Sequence, residues 1–395
     1  MESYLPYLSW IDTRHETMCQ LIKEWAAINT EAHHLAGLSK MMSVLKKQFS
    51  SLGGEMKEIP LGAYKEIDAN GKLIERHLGN ALSIKKRPHA SLRVLLGGHM
   101  DTVFPPTSPF QKATLTAPNT LTGPGVVDMK GGLIIMLTAL QALERSPFAE
   151  KIGWEVIINP DEEIGSPGAK HLYQDAAARN HVGLVFEPAL PDGSLVGARK
   201  GSAYYTLISR GKSAHAGRDY FSGQNAIFAL APILTELNLL NDPQTGVTVN
   251  AGVISGGTAR NVVPDLCICR LNIRTKTTEQ MQTVHNTIQA IVKKGPKIEL
   301  YEDRQALPKV LNPPTLLLLE QIAATGKQLG LTLSWKESGG TSDGNTLAAA
   351  GLPTVDNLGA RGGNLHTHEE FVLLDSLVER SRLTALFLMQ LTELK

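Results

Sequence analysis

Four short apolar runs, SLRVLLGG (91–98), WEVIIN (154–159), VGLVF (182–186) and LPTVDNL (352–358), alternate with stretches whose apolar residues recur at helical spacing. Runs this short and this uniformly apolar read as strands buried on both faces. Strands separated by helices read as an α/β fold with a mixed, mostly parallel sheet flanked by helices. Helices are expected over 12–28, 38–52, 131–145 and 167–178, the last opened by Ser166 as N-cap with Pro167 in the first helical position.

The middle of the chain changes style. Strand (203–210), helix (223–240), strand (247–254), strand (264–274), helix (277–294) and strand (297–302) follow one another, the βαββαβ order of a ferredoxin-like α+β unit. A proline-rich return, DRQALPKVLNPPT (303–315), leads back to the first style. The expected organisation is therefore a discontinuous catalytic domain of residues 1–199 and 308–395, interrupted by an inserted domain of residues 200–307. A chain of 395 residues is long enough for such units to bury separate cores.

Charge and composition exclude several partners. With 39 Lys and Arg against 38 Asp and Glu, the chain lacks the basic footprint of a nucleic-acid binder. The N-terminal MESYLPYLSWIDTRHETM carries charges where a signal peptide needs an apolar core, and no run reaches the length of a membrane span. Cys19, Cys267 and Cys269 are too few for a disulfide framework, and the Cys267–Ile268–Cys269 pair on one strand is poorly placed for bridging. A reducing, cytoplasmic setting without membrane contact is expected.

The chemistry lies at the ends of the strands. His99 and Asp101, Asp128 in GPGVVDMKGG, Glu162 and Glu163 in NPDEEIGSPG, Glu187 in VFEPAL and His366 in GGNLHTHEEF all fall after apolar runs or in glycine-flanked loops. In an open parallel sheet the carboxyl ends share one edge, so these groups should converge. Buried carboxylates repel one another unless a cation sits among them. Carboxylates and imidazoles without thiolates suit zinc, with cobalt or manganese as substitutes, and a metal pair needs one bridging carboxylate. Asp128, ahead of a helix N-terminus, is the candidate bridge. His99 and Asp101, two apart on an extended segment, face the same way, so His99 can ligate while Asp101 accepts its other N–H. Of Glu162 and Glu163, one can ligate while the other takes a proton from activated water, which makes a hydrolase.

In order along the chain, GGHMDTV, GPGVVDMKGG, DEEIGSPGA, VFEP, GKSAHAG and GGNLHTHEEF resemble the dinuclear zinc metallopeptidase family of glutamate carboxypeptidase, acetylornithine deacetylase, succinyl-diaminopimelate desuccinylase and aminoacylase. The glutamate carboxypeptidase branch is the nearest in character. The resemblance implies that Asp128 bridges two metals, that His99 and Glu187 complete one and Glu163 and His366 the other. It also implies Glu162 as general base and Asp101 as the partner of His99. It further implies that the inserted domain is a lid through which the chain forms a homodimer, with His215 of SAHAG reaching the partner subunit's site to polarise the scissile carbonyl. Asn261, Arg274 and Gly340 fall where the family binds substrate, the arginine as a fork for a carboxylate. His368 departs from the family pattern, so two histidines, His366 and His368, compete for one ligand position. The implied activity is hydrolysis of an amide in a small carboxylate-bearing molecule or short peptide: a carboxy-terminal residue of a peptide or folate-like conjugate, or an N-acyl amino acid.

Each residue alone has an ordinary explanation, since a single Asp or Glu after a strand is commonly an N-cap. His33, His34, His171 and His181 are read as surface residues, and Lys200 has no assigned role. Two rival functions remain. GTSDG (340–344) matches the nucleophile elbow of a serine hydrolase, with Ser342 as nucleophile and Asp356 and His366 following in order. A binding protein of the same fold would hold metal or an amino acid without catalysis, and loss of Glu162 would be its mark; Glu162 is present.

Overall fold

A computed structural model of the protein describes residues 1–294 and 297–392. Among the described residues the largest sheet has six strands, in the order Glu55–Ile59, Ala81–Lys86, Ile152–Asn159, Leu92–His99, Val182–Val185, Thr354–Val355. The last four run parallel, and the first two are added antiparallel at one edge. Alternation decides which side chain meets which layer. Val94, Leu96, Val156, Ile158 and Leu184 join one core with the helices Gly131–Glu144 and Asp375–Leu391, whereas Leu95, Ile157 and Val185 point to the other face, beneath Lys170–Ala177.

Several boundaries differ from expectation, each for a local reason. The N-terminal helical stretch is two helices, Leu5–Asp12 and His15–Ala26, broken at Thr13 and Arg14, and the next runs Leu35–Phe49. Ser166 is not an N-cap. Its φ is +52°, its hydroxyl donates to Asp343 Oδ1 at 2.5 Å, and the helix begins only at Lys170. The turn before it is held by Asp161, whose Oδ2 accepts the N–H groups of Gly168 and Ala169 at 2.7 and 3.1 Å. The last strand is only Thr354–Val355, because Asp356 turns to bind Arg199 and Asn357 adopts φ +64°.

The segment expected to be ferredoxin-like forms its own four-stranded antiparallel sheet, ordered Thr248–Gly256, Leu266–Thr275, Gly201–Arg210, Ile298–Ala306. Helices Ala226–Asn238 and Thr278–Lys294 pack on it with a separate hydrophobic cluster around Leu207, Leu230, Leu271 and Ile288. Its other face is covered by a hairpin the sequence did not announce. Strands Tyr64–Ile67 and Leu73–Arg76 place Ile67 against Ile208 and Ile268, and Arg210 and Arg270 donate to the carbonyls of Gly71 and Ile67. Cys267 and Cys269 are buried on the same strand as free thiols.

The helix Gly131–Glu144 sets the position of the loop before it. Together with residues 126–130 it is long and apolar enough to cross a membrane, but 94% of that stretch is buried within the protein. Gly132 lets it approach the sheet: a Cβ there would lie 2.1 Å from the carbonyl oxygen of Phe186. Gly132→Ala should therefore lower stability by about 1–3 kcal/mol through overpacking, against a helix-propensity gain of about 1 kcal/mol. The check is a urea melt; an unchanged or higher midpoint would contradict the close approach.

Candidate metal centre

The carboxyl edge of the large sheet gathers the expected groups. His99 ends its strand, Glu162 and Glu163 follow Ile152–Asn159, and Glu187 follows Val182–Val185. Asp128 and His366 arrive from a smaller sheet, Gly362–Gly363, Phe371–Leu373, Thr120–Thr122, Thr114–Ala117, whose loops project over that edge. His366 stands in one of them with φ +62°, a conformation that costs a non-glycine residue about 1–3 kcal/mol and is retained where surrounding structure demands it.

Asp128 lies between two sets of groups. Its Oδ1 is 3.2 Å from His99 Nε2, which is also 3.7 Å from Glu187 Oε1. Its Oδ2 is 3.4 Å from His366 Nε2, which is 3.2 Å from Glu163 Oε2. Donor atoms of His99, Asp128 and Glu163, and of His99, Glu162 and Glu187, lie within 4.8 Å of one another, the spacing a cation's ligands require. His368 is elsewhere: it stacks on Phe110 with ring centroids 5.4 Å apart and meets Ser108 Oγ at 3.2 Å.

Asp101 does more than orient His99. His99 Nδ1 is 3.1 Å from the Asp101 backbone carbonyl and 3.3 Å from its Oδ1, and the two carboxylate oxygens accept the backbone N–H groups of Glu162 and Glu163 at 3.2 and 2.9 Å. One buried carboxylate thus fixes a ligand on one strand to the acidic pair after the next. Glu370 plays the matching part for Asp128, accepting N–H bonds from Gly125, Val127 and Asp128 at 3.0–3.1 Å.

The electrostatics are those of a site short of positive charge. Burial, followed by the Glu187 charge, pushes the Glu162 carboxyl well above the usual range, and burial does the same to Glu187. Burial and Asp128 raise Glu163 to about 6, and burial with Asp128 raises Glu370 to about 8. Burial opposes charge on His99, yet its bonds with Asp101 and Asp128 hold its pKa well above normal; the Asp128 and Glu163 contacts take His366 to about 10. Both imidazoles thus lie among carboxylates that favour positive charge, a demand that a divalent ion would meet. An oxygen and imidazole donor set with a shared carboxylate fits such ions.

Two cavities open on this centre, one of 440 Å³ touching Asp128, Glu162, Glu187 and Arg199, the other of 200 Å³ reaching Arg274, Arg304 and Tyr204; Gly340 lines both. Arg274 Nε donates to Asn272 Oδ1 at 3.0 Å, while its two terminal nitrogens make longer bonds, 3.4 Å to Gly339 O and 3.3 Å to the Tyr204 hydroxyl. Arg304, which the sequence reading passed over, lies 3.9 Å above the Tyr204 ring. His215 and Asn261 line neither cavity. His215 is exposed on the smaller domain, its Nδ1 accepting the N–H groups of Gly217 and Arg218 at 3.1 Å, and Asn261 is exposed beside it, its carbonyl accepting the Ala216 N–H.

Ser342 is not a nucleophile. It is the N-cap of Asp343–Ala349 in a capping box, and its buried hydroxyl donates to Asp356 Oδ2 at 2.6 Å. Residues 95–390 match the model of peptidase family M20/M25/M40.

The chain belongs to this family.

Carboxypeptidase G2 of Pseudomonas sp. (strain RS-16) is 26% identical over 323 residues, 80% of this chain and 77% of its own length. A succinyl-diaminopimelate desuccinylase of Pseudomonas syringae pv. syringae is 29% identical over 304 residues, 71% of this chain and 77% of its own. An M20 family metallo-carboxypeptidase from Sulfolobus solfataricus shares the fold, with TM-score 0.75 at 16% identity over 95% of this chain and 99% of its own. The M20 chain is accordingly a metal-dependent hydrolase of amide bonds, of the exopeptidase and deacylase kind, and the serine-hydrolase reading falls.

Because Asp101 holds His99 and the Glu162–Glu163 backbone at once, Asp101→Ala should weaken metal binding by about 10–100-fold. Competition against a chromophoric chelator measures it, and unchanged affinity would remove Asp101 from the support of the centre.

Proposed function

We propose that this M20 hydrolase cleaves the amide next to a carboxylate-bearing residue, releasing a carboxy-terminal amino acid from a short peptide or folate-like conjugate, or deacylating an N-acyl amino acid. The observation that carries the dinuclear part is Asp128, whose two oxygens face separate groups at 3.2 and 3.4 Å. Two divalent ions, zinc with cobalt or manganese as substitutes, would be held by His99, Asp128 and Glu187 and by Glu163, Asp128 and His366, and when bound would polarise the carbonyl and acidify water.

The chain's own residues do the rest. Glu162 stands half-buried beside His99 and Glu187, close enough to share their ligand group, and in this reading it stays unligated, takes the proton of the attacking water and passes it to the leaving nitrogen. Arg274, loosely held in the adjoining cavity, receives the substrate carboxylate as a two-pronged donor, with the Gly340 backbone lining the approach. The test is a panel of N-acyl amino acids and short peptides, each with a free or amidated carboxyl, given to the zinc-loaded protein. Free-carboxyl substrates should be preferred and chelation should abolish turnover. Glu162→Gln should retain metal while kcat falls roughly 10²–10⁴-fold. Normal turnover by that variant would remove Glu162 from the proton path.

His215 and Asn261 act across a homodimer formed through the 200–307 domain. With both Gly217 and Arg218 donating to Nδ1, the ring proton resides on Nε2, which has no partner among the described residues. That imidazole is a ready donor to a carbonyl oxygen gaining charge, a contribution typically of about 10²–10³ in rate. A two-fold axis would carry each His215 to the other subunit's centre. Mixing inactive His215→Ala and Glu162→Gln proteins under subunit exchange should restore activity toward half of wild type per mixed dimer. Demonstrated exchange without recovery would confine His215 to its own chain.

A further inference from the structure

A third cavity, of 530 Å³, shares Arg199 and Ser338 with the 440 Å³ cavity of the metal centre and lies where the chain enters and leaves the 200–307 segment. At that junction Arg199 and Lys309 exchange backbone hydrogen bonds of 2.9 and 3.1 Å. The cavity's charged lining is mainly cationic, with Arg199 and three lysines against one carboxylate, Glu337. Lys200 and Lys309 come from the two crossings and Lys276 from the smaller domain, and Val310 and Leu311 supply an apolar wall.

These ammonium groups are poorly compensated. Lys309 is 1% exposed and donates to the carbonyl of Val196 at 3.0 Å. Asp356, the carboxylate whose charge it feels, already takes Arg199 Nε and the Ser342 hydroxyl at 2.6 Å each. Burial brings the Lys309 pKa down to about 8. Lys200 Nζ donates to the carbonyl of Gly246 at 2.5 Å and forms no ion pair among the described residues. Among the described residues Lys276 pairs with Glu337 at 3.7 Å, largely in solvent. Gly246, at φ +76°, permits the crowding: a Cβ there would stand 2.9 Å from Lys276 Cε and 3.5 Å from Lys200 Nζ. Like charges gathered in a partly desolvated hollow repel, and an anion with two charges removes that repulsion while accepting charge-assisted bonds.

We propose that this cavity binds a small organic dianion, with Lys200, Lys276 and Lys309 as its cationic wall and Val310 and Leu311 against its carbon body. The shared chemistry is that of a phosphate monoester or a dicarboxylate. Such a ligand ties both crossings to the smaller domain, and through Gly339, whose carbonyl accepts from Arg274 at 3.4 Å, it adjoins the substrate arginine.

The test is calorimetric titration of the metal-loaded protein, at low ionic strength, with glucose 6-phosphate and with isophthalate. Saturable binding of either probe is expected, and which one binds identifies the source of the charge. Lys200→Gln with Lys276→Gln, at partly exposed positions, should weaken it by about ten-fold or more, and the paired arginine variants should retain it. Arg274→Gln should leave it unchanged, which separates this cavity from the catalytic one. Absence of binding by both probes, undiminished affinity in the double glutamine variant, or dependence on Arg274 would each overturn the proposal.

Discussion

Asp101, Asp128, Glu162, Glu163 and Glu187 share one desolvated edge of a sheet, and their mutual repulsion sets the terms for what is built around them. Backbone N–H groups answer part of that charge: Asp101 takes those of the acidic pair, and Glu370 takes those of the Asp128 loop. Imidazoles answer another part, and Arg199, bound to Asp356 and Asn357, lends a buried cation beside Glu187. What remains is a deficit shaped to a divalent ion. The close-packed core beneath, with Gly132 against Phe186, keeps the groups from relaxing apart.

Much of this was legible along the chain because each strand delivers its residues at a fixed place. A run such as VLLGGH must end at the carboxyl edge, so the position of His99 at that edge was legible from the run, and that of Glu187 likewise. Asp128 and His366 were harder, arriving by a small sheet of very short strands, yet their glycine-rich surroundings marked them. The supports were illegible for a physical reason: they are defined by partners distant in sequence. Glu370 stands in the quoted HTHEEF, but nothing local says that it reaches back to Gly125. Ser166 looks like a cap until Asp343 claims its hydroxyl. Arg304 falls in the expected proline-rich return, whereas the strand runs on to Ala306 and sets it over Tyr204.

The same distinction holds in the middle of the chain. The 200–307 segment was recognisable as an element order, and the strand pairing follows it. That the hairpin of residues 64–76 covers its second face could not be read, since a short strand such as YKEI carries no sign of which sheet it will cover.

That hairpin has a mechanical consequence. Two chain crossings define a line about which one body can swing relative to another, as a door swings on two pins. The hairpin, fastened by Ile67, Arg210 and Arg270, is a third attachment off that line. A swing of the smaller domain must therefore drag the hairpin along and bend the chain at its roots, residues 60–63 and 77–80, where Gly62 has open space around it. Those roots lie far from the crossings in sequence, so a substitution there would load the hairpin's attachment to the four-stranded sheet without touching the metal centre.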